Sequence, residues 1–346
     1  MALRFVDGFD HYTTPTQALR KWTANYTSYP GTFGGTSTGR FSGGSYHINN
    51  CYSGNPLIKT LDAQPTWILG TAHKFNMITT GVQVFAVLDG NTLQMDVRQN
   101  ADGTMSVTRN GTVLGTTPSA VGLANQWNYY EFKTTIHPTA GAYELRVNGQ
   151  SLLSATNVNT RNTANSSANQ IQCASWATSY NGGSGVYDFD DFYACDGTGT
   201  NNNDFLGEMR IETLYPNSPG TNTNFTPNPA GANYANVKET PPDDDASVVM
   251  GGTFGLMDTY LMSHLSGTPT SIKGTMLTIM ARKDNAGTRA VSPVIRSGGN
   301  NNTGATMYLG ASYVCYMRID ETDPGTGAAW TAAGVNAVEC GQSVTI

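Results

Sequence analysis

Short runs of alternating apolar and polar residues, closed by Asn-Gly or Asp-Gly pairs, constrain this chain more than any other feature. Leu93–Arg98 alternates between turns at Asp89-Gly90-Asn91 and Asn100-Ala101-Asp102-Gly103, and Met105–Arg109 runs into Asn110-Gly111. Tyr143–Val147 alternates cleanly into Asn148-Gly149, and the chain returns through Ser151–Ala155. A period of two sends successive side chains to opposite faces of a strand. The turn pairs tolerate the positive φ that two-residue hairpin loops demand. The reading is an antiparallel meander. Leu3–Phe9 alternates too, while Trp67–Ala72 and Gly81–Leu88 are apolar enough for strands partly covered on both faces. With 39 Gly, 10% aromatic and only 13% charged residues, the composition suits many short strands. Only a weak segment around Thr16–Trp22 departs from that profile towards helix.

Trp127–Lys133 alternates with Trp127, Tyr129 and Glu131 on one face, and His137–Gly141 forms a loop before the next strand. Val186–Tyr193 closes the unit. These three strings, Trp127–Phe132, Tyr143–Gly149 and Tyr187–Tyr193, resemble the laminin-G/concanavalin A-like jelly roll. That resemblance implies one such domain over residues 1–196. The Gly/Asn-rich stretch 197–204 reads as a flexible linker, and 205–346 as a second β-sandwich domain. There, 207–211, Gly255–Tyr260, Ile272–Lys283, Ala290–Ser297, Ala305–Leu309 and Ser312–Ile319 are expected strands, and Tyr215–Tyr234 a long irregular loop. The fold class is all-β, with two β-sandwich domains.

The strings Leu206–Pro216, Asn233–Glu239, Gly255–Tyr260, Ala281–Arg289 and, most specifically, Asp323–Gly341 are similar to a domain of tailed-phage structural proteins that follows a concanavalin-like domain. The resemblance implies a non-enzymatic virion protein, a capsid decoration or cement protein or a tail-associated one, assembled in the bacterial host cytoplasm. Its partners would be major capsid or tail subunits and further copies of itself, a trimer among the options. Loops Tyr29–Tyr46 and Tyr215–Tyr234 are then the candidate docking segments. The alternative is a carbohydrate-binding module that recognises a host-surface glycan.

Charge and cysteine content narrow the chemistry. The net charge is −6 and no Lys/Arg block exists, so binding to nucleic acid phosphates has no electrostatic basis. No apolar run approaches the roughly 20 residues that span a bilayer, and Met1–Asp7 has no signal-peptide character, so a soluble protein is expected. The five cysteines, Cys51, Cys173, Cys195, Cys315 and Cys340, lack metal-site spacing and read as buried or intersubunit thiols. No metal and no cofactor are expected.

Other motifs read as structural. Asp188 and Asp190 share a strand face, but Asp191 breaks the alternation and points to a bulge or strand end. Catalysis by paired carboxylates is not expected there. Gly35–Gly39 matches G-x-S-x-G outside the strand–helix setting that gives it meaning. His11, His47, His73, His137 and His264 are scattered singly, and Asp243-Asp244-Asp245 reads as a solvated acidic turn rather than a calcium loop. Tyr26, Tyr29, Tyr46 and Tyr52 lie near loops, where a lectin would place its stacking rings.

Overall fold

The computed structural model describes residues 2–25, 32–34, 39–41, 43–49, 57–76, 78, 81–176 and 186–346. The chain divides into two compact units, Met1–Ile211 and Glu212–Ile346. Among the described residues no helix is long and apolar enough to cross a membrane.

The first unit runs in the order β1 (Leu3–Asp7), a single helical turn α1 (Pro15–Ala18), β2 (Ala24–Asn25), β3 (Thr32–Gly34), β4 (Ser45–Asn49), β5 (Leu57–Gln64) and β6 (Thr66–Phe75). It continues through β7 (Val82–Asp89), β8 (Thr92–Gln99), β9 (Met105–Arg109), β10 (Thr112–Thr116) and β11 (Asn128–Thr135). The last strands are β12 (Gly141–Val147), β13 (Gln150–Val158), β14 (Ala168–Trp176) and β15 (Val186–Asp196). They form two antiparallel sheets. The front sheet has the order β13-β12-β11-β6-β15-β4-β3 with β1 also on β15, and the back sheet has the order β10-β9-β8-β7-β14-β5-β2.

The expected hairpins form where the turn residues predicted them. Asn110 and Gly111, like Asn148 and Gly149, take positive φ, which places β9 against β10 and β12 against β13. On β6, Trp67, Leu69, Thr71, His73 and Phe75 point into the space between the sheets. Trp67 Nε1 donates across that space to the Ala168 carbonyl (2.9 Å), and Phe132 of β11 meets Phe85 of β7 at 6.4 Å. Fully buried aromatic residues fill this layer, among them Trp22, Trp67, Tyr130, Phe75 and Phe85. Gly70, Ala72 and Lys74 therefore face outward from the front sheet.

The break that Asp191 made in the sequence pattern is a bulge. Pairing of β15 with β6 shifts register between Asp190 and Tyr193, and Asp191 has φ 50°. There β15 also changes partner, from β4 over Val186–Phe189 to β1 over Phe192–Cys195.

The second unit contains β16 (Pro216–Thr223), β17 (Thr226–Asn228), β18 (Val248–Met250), β19 (Met257–Met262), β20 (Thr275–Ala281), β21 (Ala290–Ser297), β22 (Asn300–Thr303), β23 (Met307–Tyr308), β24 (Val314–Asp320), α2 (Ala332–Ala337) and β25 (Glu339–Val344). Its main sheet has the order β16-β19-β25-β21-β22, with β23 on β21, and two-stranded pairs β17-β18 and β20-β24 lie apart from that sheet. Ile295, Trp330, Val335 and Val338 form its buried core. The string Asp323–Gly341 builds that core. Asp323 accepts from Gly325 N–H in a turn, Trp330 Nε1 donates to Asp320 O, and Thr331 caps α2. Tyr215–Tyr234, expected as irregular, instead supplies β16, an edge strand beside β19 whose register shifts next to Pro216 and Pro219, and β17, which pairs with β18.

Residues 205–211, expected to open the second unit, belong to the first. No strand is assigned between β15 and β16. The polar groups of this segment are satisfied by the front sheet below it rather than by a β-ladder.

Candidate functional site

The outward face of the front sheet gathers the chemistry-bearing side chains of the first unit. Alternation on β11 places Trp127, Tyr129, Glu131 and Lys133 there, β6 adds Lys74, β15 adds Asp188, Asp190 and Tyr193, and β4 adds Ser45 and His47.

At one end of this face Asp188 is the centre of a half-open cluster. Its Oδ1 lies 2.7 Å from His47 Nδ1 and accepts from Ser45 Oγ (3.2 Å), while Lys74 Nζ lies 3.1 Å from Oδ2. Burial works against ionising Asp188, yet the bonds from His47 and Lys74 hold its carboxyl below the usual carboxylate range. Lys74 Nζ also stands 4.8 Å from the centre of the half-buried Trp127 ring.

At mid-face the bulge presses carboxylates together. Asp190 accepts the backbone N–H of Arg40 and of Asp191 (2.7 Å each), and Asp191 accepts Ile211 N–H (2.7 Å) and faces Arg40 Nη1 (3.4 Å). Burial first, and then the charge of Asp191, push the Asp190 pKa up, and burial raises that of Asp191. Asp10, which accepts Gly44 N–H, is pushed up to about 7 by burial and by the neighbouring charges of Asp191 and Asp7. Asp188 and Asp190 thus stand two residues apart with pKa values displaced in opposite directions.

The far part of the face is roofed by residues 204–211. Tyr193 Oη donates to Glu131 Oε1 (2.5 Å), and Leu206 N–H donates in turn to Tyr193 Oη (3.2 Å). Gly207 N–H donates to Glu131 Oε1 (2.8 Å), and Arg40 Nη1 to Met209 O (3.1 Å). Arg40 is also ion-paired to Glu208, Asp204 lies 3.0 Å from Lys133 Nζ, and Phe205 stacks under Arg146 at 4.0 Å.

The remaining sequence candidates lie elsewhere. Cys173 and Cys195 are buried and Cys315 and Cys340 half-buried; burial raises the Cys173 thiol strongly and the Cys340 thiol to about 12. No disulfide joins the described cysteines. Cys51, Tyr26, Tyr29, Tyr52, residues 35–38 and other parts of loop 29–46 lie outside the described residues. Tyr46, a candidate stacking ring, is instead 1% exposed, because β4 turns it into the core. His11 is half-buried and His73 buried, and burial lowers them to about 4 and about 3. His137 Nδ1 accepts from Thr139 N–H and Ala140 N–H within its own loop, and His264 is exposed beyond β19. Asp245 is held by Arg282 and Tyr313, and no group of metal-ligating side chains occurs among the described residues. Of the five histidines only His47 joins the face. Arg40, Lys74 and the segment 204–211 carried no sequence signal for it; Glu131 did, through its alternation with Trp127 and Tyr129.

No protein-family model matches the sequence, and no curated protein is similar to it. Solved structures similar to the chain include a sialidase (11% identity, TM-score 0.41, covering 56% of this chain and 18% of that one). The alginate lyase Aly36B is similar at 11% identity and TM-score 0.37, over 55% of this chain and 95% of that one. An alginate lyase from Corynebacterium sp. is similar at 12% identity and TM-score 0.32, over 44% and 76%. All three are enzymes by name, and the expectation that this chain is not an enzyme finds no support among them.

Proposed function

We propose that the first unit recognises a neutral, hydroxyl-rich glycan at the open end of the front sheet. The observation that carries this reading is the half-buried Trp127 ring beside Lys74, with Asp188 and His47 adjoining. A sugar needs an apolar surface for its C–H face and charged donors and acceptors for its hydroxyls, and this cluster offers both. Lys74 is already paired to Asp188, Arg40 to Asp191 and Glu208, and the chain is net negative. A polyanionic chain gains little there. The second unit's role in this reading is attachment. Its sequence resembles the domain found in tailed-phage structural proteins, and on a particle surface the jelly roll would meet host glycans.

Glycan-array binding tests the reading. Trp127→Ala and Lys74→Ala should each weaken capture of a neutral glycan by about tenfold or more, which corresponds to about 1.4 kcal/mol, while the protein stays folded. Wild-type protein that captures no neutral glycan, or captures only acidic ones, sinks it.

A specific observation favours hydrolysis as a second reading. Asp188 is held ionised and Asp190 is pushed towards its protonated form, the division of labour that a glycosidic acid and its partner carboxylate require. Asp188 and Asp190 stand on one strand face, about 6.6 Å apart at the backbone. Release of reducing ends from a captured glycan, lost in Asp190→Asn with binding retained, is the expected result. Binding without turnover in the wild type removes the second reading and leaves the first.

A further inference from the structure

Residues 204–211 cover the part of the front sheet that continues the open cluster, and what lies beneath them is built like it. Tyr129 and Tyr193 stand 6.5 Å apart with ring planes 19° from parallel, and both are 1% exposed. Gly70 makes room for this. A side chain there would stand 2.1 Å from a Tyr193 ring carbon, so the ring occupies the space that any other residue at 70 would fill. Glu131 sits beside the rings with its carboxylate turned outward to Tyr193 Oη and Gly207 N–H. From Trp127 to Lys133 the face runs six residues along β11, about 20 Å at the rise of a strand. Aromatic surface and carboxylates repeat along that length.

The cover is bound in the manner of a ligand rather than of a strand. Besides the buried Leu206, Phe205 under Arg146 and the ion pairs of Asp204 with Lys133 and of Glu208 with Arg40, it holds on through backbone groups: Leu206 and Gly207 N–H to Tyr193 and Glu131, Met209 O from Arg40, and Ile211 N–H to Asp191. A sugar hydroxyl both donates and accepts, so it can replace any of these contacts. Gly207 sits at φ +81° with open space around its Cα.

We infer that the Tyr129–Tyr193–Glu131 platform is a second row of sugar subsites, occupied in this structure by residues 204–211, which a neutral oligosaccharide long enough to extend from Trp127 displaces. The inference rests on the glycan-binding reading above. It makes affinity depend on chain length: short oligosaccharides meet only the open end, and longer ones compete with the tethered segment. Competition with a tethered occupant reduces apparent affinity by the fraction of molecules in which the platform is open.

The full-length protein can be tested with immobilised malto-, cello- and manno-oligosaccharides of two to eight units. Gly207→Val loosens the cover without deleting a contact, because a β-branched side chain at positive φ is strained. Phe205→Ala provides a second route through the Arg146 stack. Amide hydrogen exchange at Gly207 and Ile211 reports the cover, and exchange in β6 and β11 reports an intact sheet. In both variants the two amides should exchange faster while β6 and β11 stay protected. Affinity for oligosaccharides of four or more units should rise at least tenfold, with disaccharide binding unchanged. An opened cover that brings no gain for long chains overturns the inference, and so does a cover that stays protected in both variants. Trp127-dependent binding in either case leaves the glycan reading standing, whereas capture of no oligosaccharide by any form removes the reading beneath it.

Discussion

At the scale of single residues, His73 is the group most at odds with its surroundings. It is 1% exposed, neither ring nitrogen has a hydrogen-bond partner among the described residues, and its ring lies parallel to Phe189 at 4.4 Å. Burial lowers its pKa from 6.5 to about 3. The unfolded chain takes up a proton as pH falls below 6.5, and the folded chain does not until about pH 3. The group therefore removes stability as pH falls through that window, by up to about 1.4 kcal/mol per unit. Asp10 acts in the opposite sense. Its folded pKa of about 7 lies above its ordinary 3.8, so it contributes stability that is full at low pH and lost as pH rises towards 7. Comparing wild type with His73→Phe cancels the Asp10 contribution. At pH 7.5 the variant should be as stable as wild type or slightly more so, since two unpaired nitrogens disappear. At pH 4.5 it should be more stable by about 2–3 kcal/mol, read from urea unfolding followed by tryptophan fluorescence. An equal difference at both pH values would show that the buried imidazole has its proton in the folded state.

At the scale of elements, sequence legibility followed turn chemistry. Met105–Arg109 and Ala290–Ser297 were expected and are found with those bounds, since alternation ends sharply at Asn110-Gly111 and at Ser297-Gly298-Gly299. The bulge at Asp191 was readable because three consecutive acidic and aromatic positions cannot keep a period of two. Strand β5 was missed because Ile58 and Lys59 break the alternation of Leu57, Leu61 and Ala63, and β14 because Ala168–Trp176 has no turn pair at either end. The segment 205–211 misled in the other direction. Leu206, Met209 and Ile211 imitate a strand, but their backbone polar groups find partners in Tyr193, Glu131, Arg40 and Asp191, which lie 13 to 169 residues away in sequence. No local pattern encodes such partners. In the second unit Gly341 of β25 packs closely on β19, and a Cβ there would stand 1.9 Å from the Asp258 carbonyl oxygen. A backbone oxygen inside a sheet has nowhere to go. Gly341→Ala should cost about 3 kcal/mol or more and lower only the unfolding transition of the second unit, as read by calorimetry. Loss of both transitions together would mean that the units do not fold separately.

At the scale of the whole molecule, the all-β class and the sandwich of the first unit were legible, because hairpin signals are local and their sum leaves few architectures. Where the first unit ends was not, because that depends on which surface residues 204–211 cover. The Gly/Asn-rich stretch 197–204 looks like a boundary by composition. Yet the chain beyond it returns to close Tyr129, Tyr193 and the Asp190–Asp191 bulge, and Ile211 O lies against Gly8. A chain stopped at Ile211 keeps every one of these contacts. A chain stopped at Asp196 uncovers two buried tyrosines and leaves Glu131, Asp191 and Arg40 without their partners from 206–211, in addition to the apolar cover of Leu206. Calorimetry of the two truncated chains should separate them. Residues 1–211 should melt within a degree or so of the first-unit transition of the full chain, and residues 1–196 at least about 4 °C lower, since a loss of 2 kcal/mol or more shifts a domain of this size by about 2–4 °C per kcal/mol. Equal melting temperatures would mean that residues 204–211 contribute nothing to the fold they cover, and that the front sheet is as stable open as closed.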